Sequence, residues 1–361
     1  MMQAPSPGRA GSRPCALALR AALIALLGAL GGCASPDTRT GSGATPSVRP
    51  ANSGKVLGSS DRLVVYQAAP GETLAQVAQR FLGSPERAWV IGDYNHISKP
   101  DPAKPLVVPL VQANPQGVYS DRYQTVPILC YHRFAANSTG KGNTGKMTVS
   151  STALAAQLDW LAQNDFHVLK LAQLEPWLAG QQALPLRSVV ITADDGYESF
   201  YRYAFPLLKK YGFAATLFVY TDFVGAADAV NWTEMQEMVD SGLVDVQAHS
   251  RTHRNLIERQ STESDDSYQR MLLGEVRTPR EVLERKLRTP QRHFAYPYGD
   301  ANDAVLSVLD NQRIQLGLTV NPGGNGFFAQ PLMLHRTMIF GDMSLEDFKA
   351  RLQISRVVGA R

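Results

Sequence analysis

From Thr125 onward, short apolar runs alternate with stretches whose apolar positions recur every three or four residues. The runs are Val126–Tyr131, Ser188–Thr192, Ala215–Tyr220, Val244–Ala248, His293–Tyr296 and Leu316–Val320, and the stretches between them include Thr152–Gln163 and Ala204–Tyr211. Strands alternating with helices predict an α/β domain with a largely parallel sheet. Polar groups close several of the runs: His132, then Asp194 and Asp195, then His249, then Tyr298 with Gly299. In barrel folds the C-terminal ends of the strands gather on one face and carry the chemistry, so these residues are the candidates for a shared site.

A smaller unit precedes this domain. Leu63–Ala68 predicts a strand, and Thr73 with Gln76 three positions on predicts a capping box. Leu74, Val77, Ala78 and Phe81 then share one helical face, a second helix is expected over Glu86–Tyr94, and Leu106–Val108 is expected to close the unit as a strand. The βααβ order, with VYQAAPGETLAQVAQRF, WVIGDYN ending in Asn95, and PLVVPL, resembles a LysM module over Arg62–Val111. That resemblance implies binding of glycans containing N-acetylglucosamine, peptidoglycan among them; the alternative is a structural spacer.

The chain begins differently. Arg9, Arg13 and Arg20 lead into an apolar run from Ala21 to Leu30, too short to span a bilayer and ordered like a secretory signal. Its end, Leu30-Gly31-Gly32-Cys33, resembles the lipobox of bacterial lipoproteins, which implies a leader over 1–32, acylation of Cys33 and attachment to a membrane by the lipid. Ala34 after the cysteine resembles the outer-membrane sorting pattern of Gram-negative bacteria, facing the periplasm; a plain cleaved signal is the alternative. Residues 33–60, rich in Ser, Gly, Thr and Pro, predict a flexible tether, followed by the small module over 61–112, a linker over 113–124 and the main domain over 125–355.

Loss of the leader removes three arginines and no acid, taking the formal charge from +4 to +1. No basic face of the kind a nucleic-acid partner needs is left, so that class is excluded. Of the 3 cysteines, Cys15 lies in the leader, Cys33 is the expected lipid site, and Cys130, within VPILCY, is expected to be a small buried apolar residue. Nor does a Gly-x-Ser-x-Gly elbow support a serine hydrolase.

The strongest chemistry lies in two segments. In SVVITADDGY, strand-forming residues run into Asp194 and Asp195, and Gly196 permits the sharp turn that lifts them out of the sheet; an ordinary solvated turn is the competing reading. In AHSRTH, His249 and His253 are spaced i and i+4, which places both imidazoles on one side of a helical turn where they can bind one metal ion. With one carboxylate from another strand end they make a site suited to zinc.

The order TADDG, HSRTH, FAYPYG resembles the polysaccharide deacetylases, the NodB-homology carbohydrate esterases, over Thr125–Leu352, with nearest likeness to the enzymes that deacetylate poly-β-1,6-N-acetylglucosamine. The resemblance implies a distorted (β/α) barrel. It makes Asp194 the general base, Asp195, His249 and His253 the ligands of a divalent metal, and the Tyr298 N–H an oxyanion donor. Trp232, Tyr296 and Tyr298 are the expected aromatic contacts to substrate, and the catalytic acid is His132 or, second, His335. Ala295 stands where many members carry an arginine that braces the base, and Arg292 falls on the opposite face, so another group is left to orient Asp194. The function expected is metal-dependent N-deacetylation of an exported N-acetylglucosamine polymer. A peptidoglycan deacetylase and a non-catalytic glycan-binding scaffold are the alternatives.

Overall fold

The structure, a computed structural model, describes residues 53–112, 114–137 and 145–358. The expected leader, Cys33 and most of the expected tether lie outside the described residues. Lys55–Ser59 (β1), Leu63–Gln67 (β2) and Leu106–Pro109 (β3) form an antiparallel sheet in the order β1-β2-β3. β1 thus falls within 33–60, the range expected as tether. Lys55 pairs with Gln67 and Ser59 with Val64, while all five residues of β1 stay exposed, so the strand leaves no apolar pattern in the sequence.

Helices Leu74–Leu82 and Ala88–Asn95 cover this sheet, the first opening on the expected box between Thr73 and Gln76. Leu74, Val77 and Ala78 pack with Val64 and Tyr66 of β2. Asn95 ties the second helix to the sheet: Nδ2 donates to Ile91 O at 2.8 Å and Val107 O at 2.7 Å, and Oδ1 accepts from Val107 N at 2.8 Å.

The main domain contributes Arg122–Gln124 (β4), Val126–Tyr131 (β5), Arg133–Ala135 (β6), Thr148–Ser150 (β7), His167–Leu169 (β8), Ser188–Ala193 (β9), Ala215–Val219 (β10), Val244–Ala248 (β11), His293–Ala295 (β12), Leu316–Leu318 (β13), Gly324–Asn325 (β14), Thr337–Met338 (β15) and Ser355–Val357 (β16). Its main sheet runs β13-β12-β11-β10-β9-β5-β14, with β8 beside β9 and β15 beside β5, all parallel except β14. The expected distorted barrel is a curled, mixed sheet. Between β13 and β5 there is no strand ladder, only the segment 334–338, which bridges Leu318 through Leu334 and pairs with β5 through Thr337 and Met338.

Two apolar clusters occupy the two faces of this sheet. Along β9, Val189, Ile191 and Ala193 join the larger cluster with Leu158, Phe205, Met235 and Leu272 from the covering helices. Val190 joins the smaller one with Ile128, Phe218, Leu316, Leu318 and Trp177. Side chains alternate along a strand, so Thr192 and Asp194 share the face of Val190 and point into the curl.

The glycine-rich stretch from Gly323 forms β14 at the start of β5, pairing Gly324 with Pro127; a Cβ on Gly324 would lie 2.9 Å from Thr125. Ser264 caps the helix Asp265–Leu287, and Glu263 before it pairs with Arg254 at 2.8 Å.

Candidate active site

The ends of β5, β9 and β11 meet at one cavity of about 480 Å³, lined by His132, Asp194, Asp195, His249, His253 and Tyr298 among others. Each strand is held by its neighbour right up to the site: Asp194 N donates to Tyr131 O at 3.0 Å, and His249 N donates to Val219 O at 2.8 Å. Beyond Asp194 the backbone turns through left-handed Asp195 and Gly196, with φ of 71° and 73°. A Cβ on Gly196 would sit 2.8 Å from Val219 Cγ1, so both conformation and space call for glycine. Asp-Asp-Gly is thus a turn, but one whose carboxylates are buried rather than solvated.

The turn separates the two carboxylates. Asp194 is gripped by Arg336, Nη1 to Oδ1 at 2.7 Å and Nη2 to Oδ2 at 2.6 Å. The guanidinium is fully buried, donates from Nε to Thr319 O at 2.8 Å and touches Thr192 Oγ1 at 3.2 Å. Burial works to raise the Asp194 pKa, yet the charges of Arg336 and His249 and the paired hydrogen bonds hold it below the usual carboxylate range. Arg336 is the missing brace, supplied by the segment that closes the curl rather than by β12. Arg292 lies elsewhere, exposed and 3.4 Å from Glu175.

Asp195 Oδ1 lies 3.4 Å from His249 Nε2 and 3.1 Å from His253 Nε2. His249 Nδ1 is 2.7 Å from Ala295 O. A carbonyl oxygen only accepts, so Nδ1 carries the proton and Nε2 presents a lone pair to Asp195. Oδ1 is buried and makes no hydrogen bond. Three electron-pair donors within 4.8 Å of one another, one of them an orphaned buried oxygen, fit a cation.

The two histidines are not on a helical turn. They lie on an irregular loop after β11 in which Ser250 and His253 are left-handed, φ 73° and 64°. His253 N donates to Ser250 Oγ at 2.9 Å, while buried Glu275 of the helix Asp265–Leu287 accepts from Arg251 N at 3.0 Å, Thr252 N at 2.9 Å and Thr252 Oγ1 at 2.8 Å. Aromatic rings flank His253, Tyr220 at 5.1 Å and Tyr298 at 5.0 Å between centroids.

The known proteins to which this chain is similar are deacetylases. Residues 181–317 match the polysaccharide deacetylase family profile. The chain is 27% identical over 197 residues to the poly-β-1,6-N-acetyl-D-glucosamine N-deacetylase of Staphylococcus aureus, covering 52% of this chain and 68% of that protein. Among solved structures, the Streptococcus pyogenes deacetylase PplD in complex with acetate superposes with a TM-score of 0.57 at 26% identity, covering 63% of this chain and 98% of the other. The structure of IcaB from Ammonifex degensii gives 0.55 at 28%, covering 64% and 97%. The domain is a polysaccharide deacetylase, a hydrolase of amide bonds.

The remaining expected residues of the deacetylase fall into two groups. His132 lines the cavity, with Nδ1 buried and without a partner among the described residues. Burial lowers its pKa, against the opposing pull of Asp194 and Asp195. His335 is exposed and does not line the cavity; a Cβ on Gly323 would meet its Nδ1 at 2.8 Å. Tyr298 lines the rim, 61% exposed, on a left-handed residue with φ 61° inside the turn Pro297–Gly299. Tyr296 lines the cavity too, but its buried hydroxyl donates to Leu332 O at 2.6 Å. Trp232 is brought to no part of this site. It opens the helix Trp232–Asp240 after the cap Asn231, with Lys286 Nζ 5.6 Å from its ring.

Sequence reasoning missed Arg336, Glu275 and a wall formed by Arg133, whose guanidinium lies 3.5 Å from the Tyr197 ring centre and 2.9 Å from Asp228 Oδ2. The signal for Arg336 was a single arginine inside the apolar run LMLHRTMI. Cys130 is buried as expected, and its thiol donates to Asp194 Oδ2 at 3.5 Å.

Proposed function

We propose that this deacetylase removes acetyl groups from an exported N-acetylglucosamine polymer of the poly-β-1,6-linked kind, with zinc held by Asp195, His249 and His253. The observation that carries the reading is the division between the carboxylates, one braced and ionised, the other turned toward two imidazoles. Asp195, His249 and His253 would hold the cation, which would supply polarisation of the acetamido carbonyl and acidification of water near neutral pH. Asp194 accepts the proton of the attacking water as its oxygen bonds to the carbonyl carbon. The Tyr298 N–H donates to the resulting oxyanion. His132 protonates the amine as the C–N bond breaks, releasing acetate. Likeness to the Staphylococcus aureus enzyme supports the polymer class. The LysM-like order of the small module and the lipobox-like segment at Cys33 support an enzyme tethered by lipid at the outer membrane.

Acetate release from β-1,6-linked oligomers and from peptidoglycan oligomers, with chelated and zinc-loaded protein, tests this. Release from the β-1,6 oligomers only after zinc loading, and its loss in Asp194→Asn, is expected. Preferential release from peptidoglycan overturns the substrate, and none from either overturns the activity.

A further inference from the structure

The chemistry sits at the C-terminal ends of the strands, and a separate groove lies at the opposite end, where the small module meets the deacetylase domain. Two hydrogen bonds fasten the two there: Leu186 N donates to Asp93 Oδ2 at 3.1 Å, and Ala183 N to Gln112 Oε1 at 3.2 Å. Two cavities of about 810 Å³ and 390 Å³ flank this junction and share Trp89, Gln112, Ala183 and Leu184. Their floor includes the segment leading directly into β9, the strand that carries Asp194 and Asp195 at its other end.

We propose that this junction groove is a second, non-catalytic binding site for an uncharged, N-acetylated stretch of polysaccharide. Its lining has the chemistry that recognises sugar rather than a lipid or an anion. Trp89 is half-buried, and its indole N–H has no acceptor among the described residues. Gln181 and Gln182 are exposed, with side-chain amides that bond to no other described residue, and Gln112 accepts through Oε1 while its Nε2 stays unused. Phe213 adds apolar surface to the larger cavity, beside the buried Phe166, whose ring is faced by the Arg187 guanidinium at 4.7 Å. Flat rings suit the C–H faces of pyranoses, and amides both donate to and accept from hydroxyl and acetamido groups. The charged liners come in opposite signs, Glu86 with Arg87 in one cavity and Asp93 with Arg122 in the other, so no net field favours a phosphate or a glucosammonium. The groove therefore holds substrate in preference to product. Because it opens at the far end of β9, one polymer strand can be retained there while another stretch reacts.

The choice of glycan as ligand rests on the deacetylase reading. The full chain is titrated with hexasaccharides of β-1,6-linked and β-1,4-linked N-acetylglucosamine and with the fully deacetylated β-1,6 form, following tryptophan emission and calorimetric Kd. Acetylated hexasaccharide is expected to shift the emission, Trp89→Phe to reduce that shift, and Gln181→Ala/Gln182→Ala, on an exposed loop, to raise Kd about tenfold by removing two amides. The double variant should raise KM for long polymer and leave kcat/KM for an acetylated disaccharide unchanged. Wild-type Kd and polymer KM in the double variant, or equal affinity for the deacetylated form, overturn the proposal. Groove titration without acetate release from any polymer would sink the catalytic reading alone; normal release with unaltered binding in both variants would sink the groove alone.

Discussion

Arg336 and Asp194 form a pair with no solvent access on the arginine side, two hydrogen bonds of 2.7 and 2.6 Å, and further bonds from the guanidinium to Thr319 O and Thr192 Oγ1. Arg336→Met keeps much of the volume and leaves a carboxylate buried without its counter-charge, which costs about 3–5 kcal/mol. For a domain of this size each kcal/mol moves Tm by roughly 2–4 °C, so thermal unfolding should shift down by about 6–20 °C. Asp194→Asn strands the guanidinium instead and should fall in the same range. The double variant removes both charges together. Its loss should therefore be smaller than the sum of the two single losses by about 1–3 kcal/mol, the signature of a direct interaction. Arg336→Lys keeps a charge but not the planar fork, so it should recover part of the stability while acetate release stays reduced, because Asp194, the proposed base, is no longer held in one orientation. Calorimetric unfolding of all four variants with parallel acetate assays measures each quantity. Additive losses, or Arg336→Lys with wild-type activity, would refute Arg336 as the group that positions the base.

Three other outcomes follow from the same geometry. Glu275→Gln weakens the grip on the loop between His249 and His253, and zinc affinity measured by chelator competition should drop about tenfold or more; an unchanged affinity would mean the loop holds its shape unaided. Buried His293 lies 2.8 Å from Glu175, and although burial works to lower its pKa, Asp245 and Glu175 raise it above the ordinary value, while the hydrogen bond from His293 lowers Glu175. The histidine contribution is complete below its unfolded pKa of about 6.5 and lost as pH rises through the folded value; that of Glu175 is present above about 4.3 and lost as pH falls through its folded value. Stability from this pair should thus peak between those limits, and a Tm–pH curve for His293→Gln that keeps the wild-type shape would contradict it. Gly299→Ala, at φ 80° with a Cβ only 2.4 Å from Val320 Cγ2, should cost about 1 kcal/mol or more and displace the turn that carries Tyr298, lowering kcat in acetate release; an unaffected rate would separate that turn from catalysis.

What the sequence made legible tracks how local each constraint is. β5 and β11 begin and end where their apolar runs do, because central strands are buried along their whole length and the composition records it. Strands β14 and β15, of two residues each, and exposed β1 carry no such record, since their place is fixed by a partner strand and not by their own side chains. The same distinction divides the site. The carboxylates and histidines were found because a strand end and a short spacing announce them, yet the spacing of His249 and His253 was assigned to the wrong backbone. The i and i+4 rule holds for a helix, whereas here two left-handed loop residues and the Glu275 carboxylate of the helix Asp265–Leu287 bring the rings together. Arg336 was least visible of all: it meets Asp194 across 142 residues, and nothing near either residue in the chain requires the other. Its identity follows only from the curl, which brings the segment after β13 back against β5 and leaves one interior position facing a buried acid. An Asp194 carboxylate held in this way depends on closure of the sheet, because its brace comes with the segment that pairs against β5.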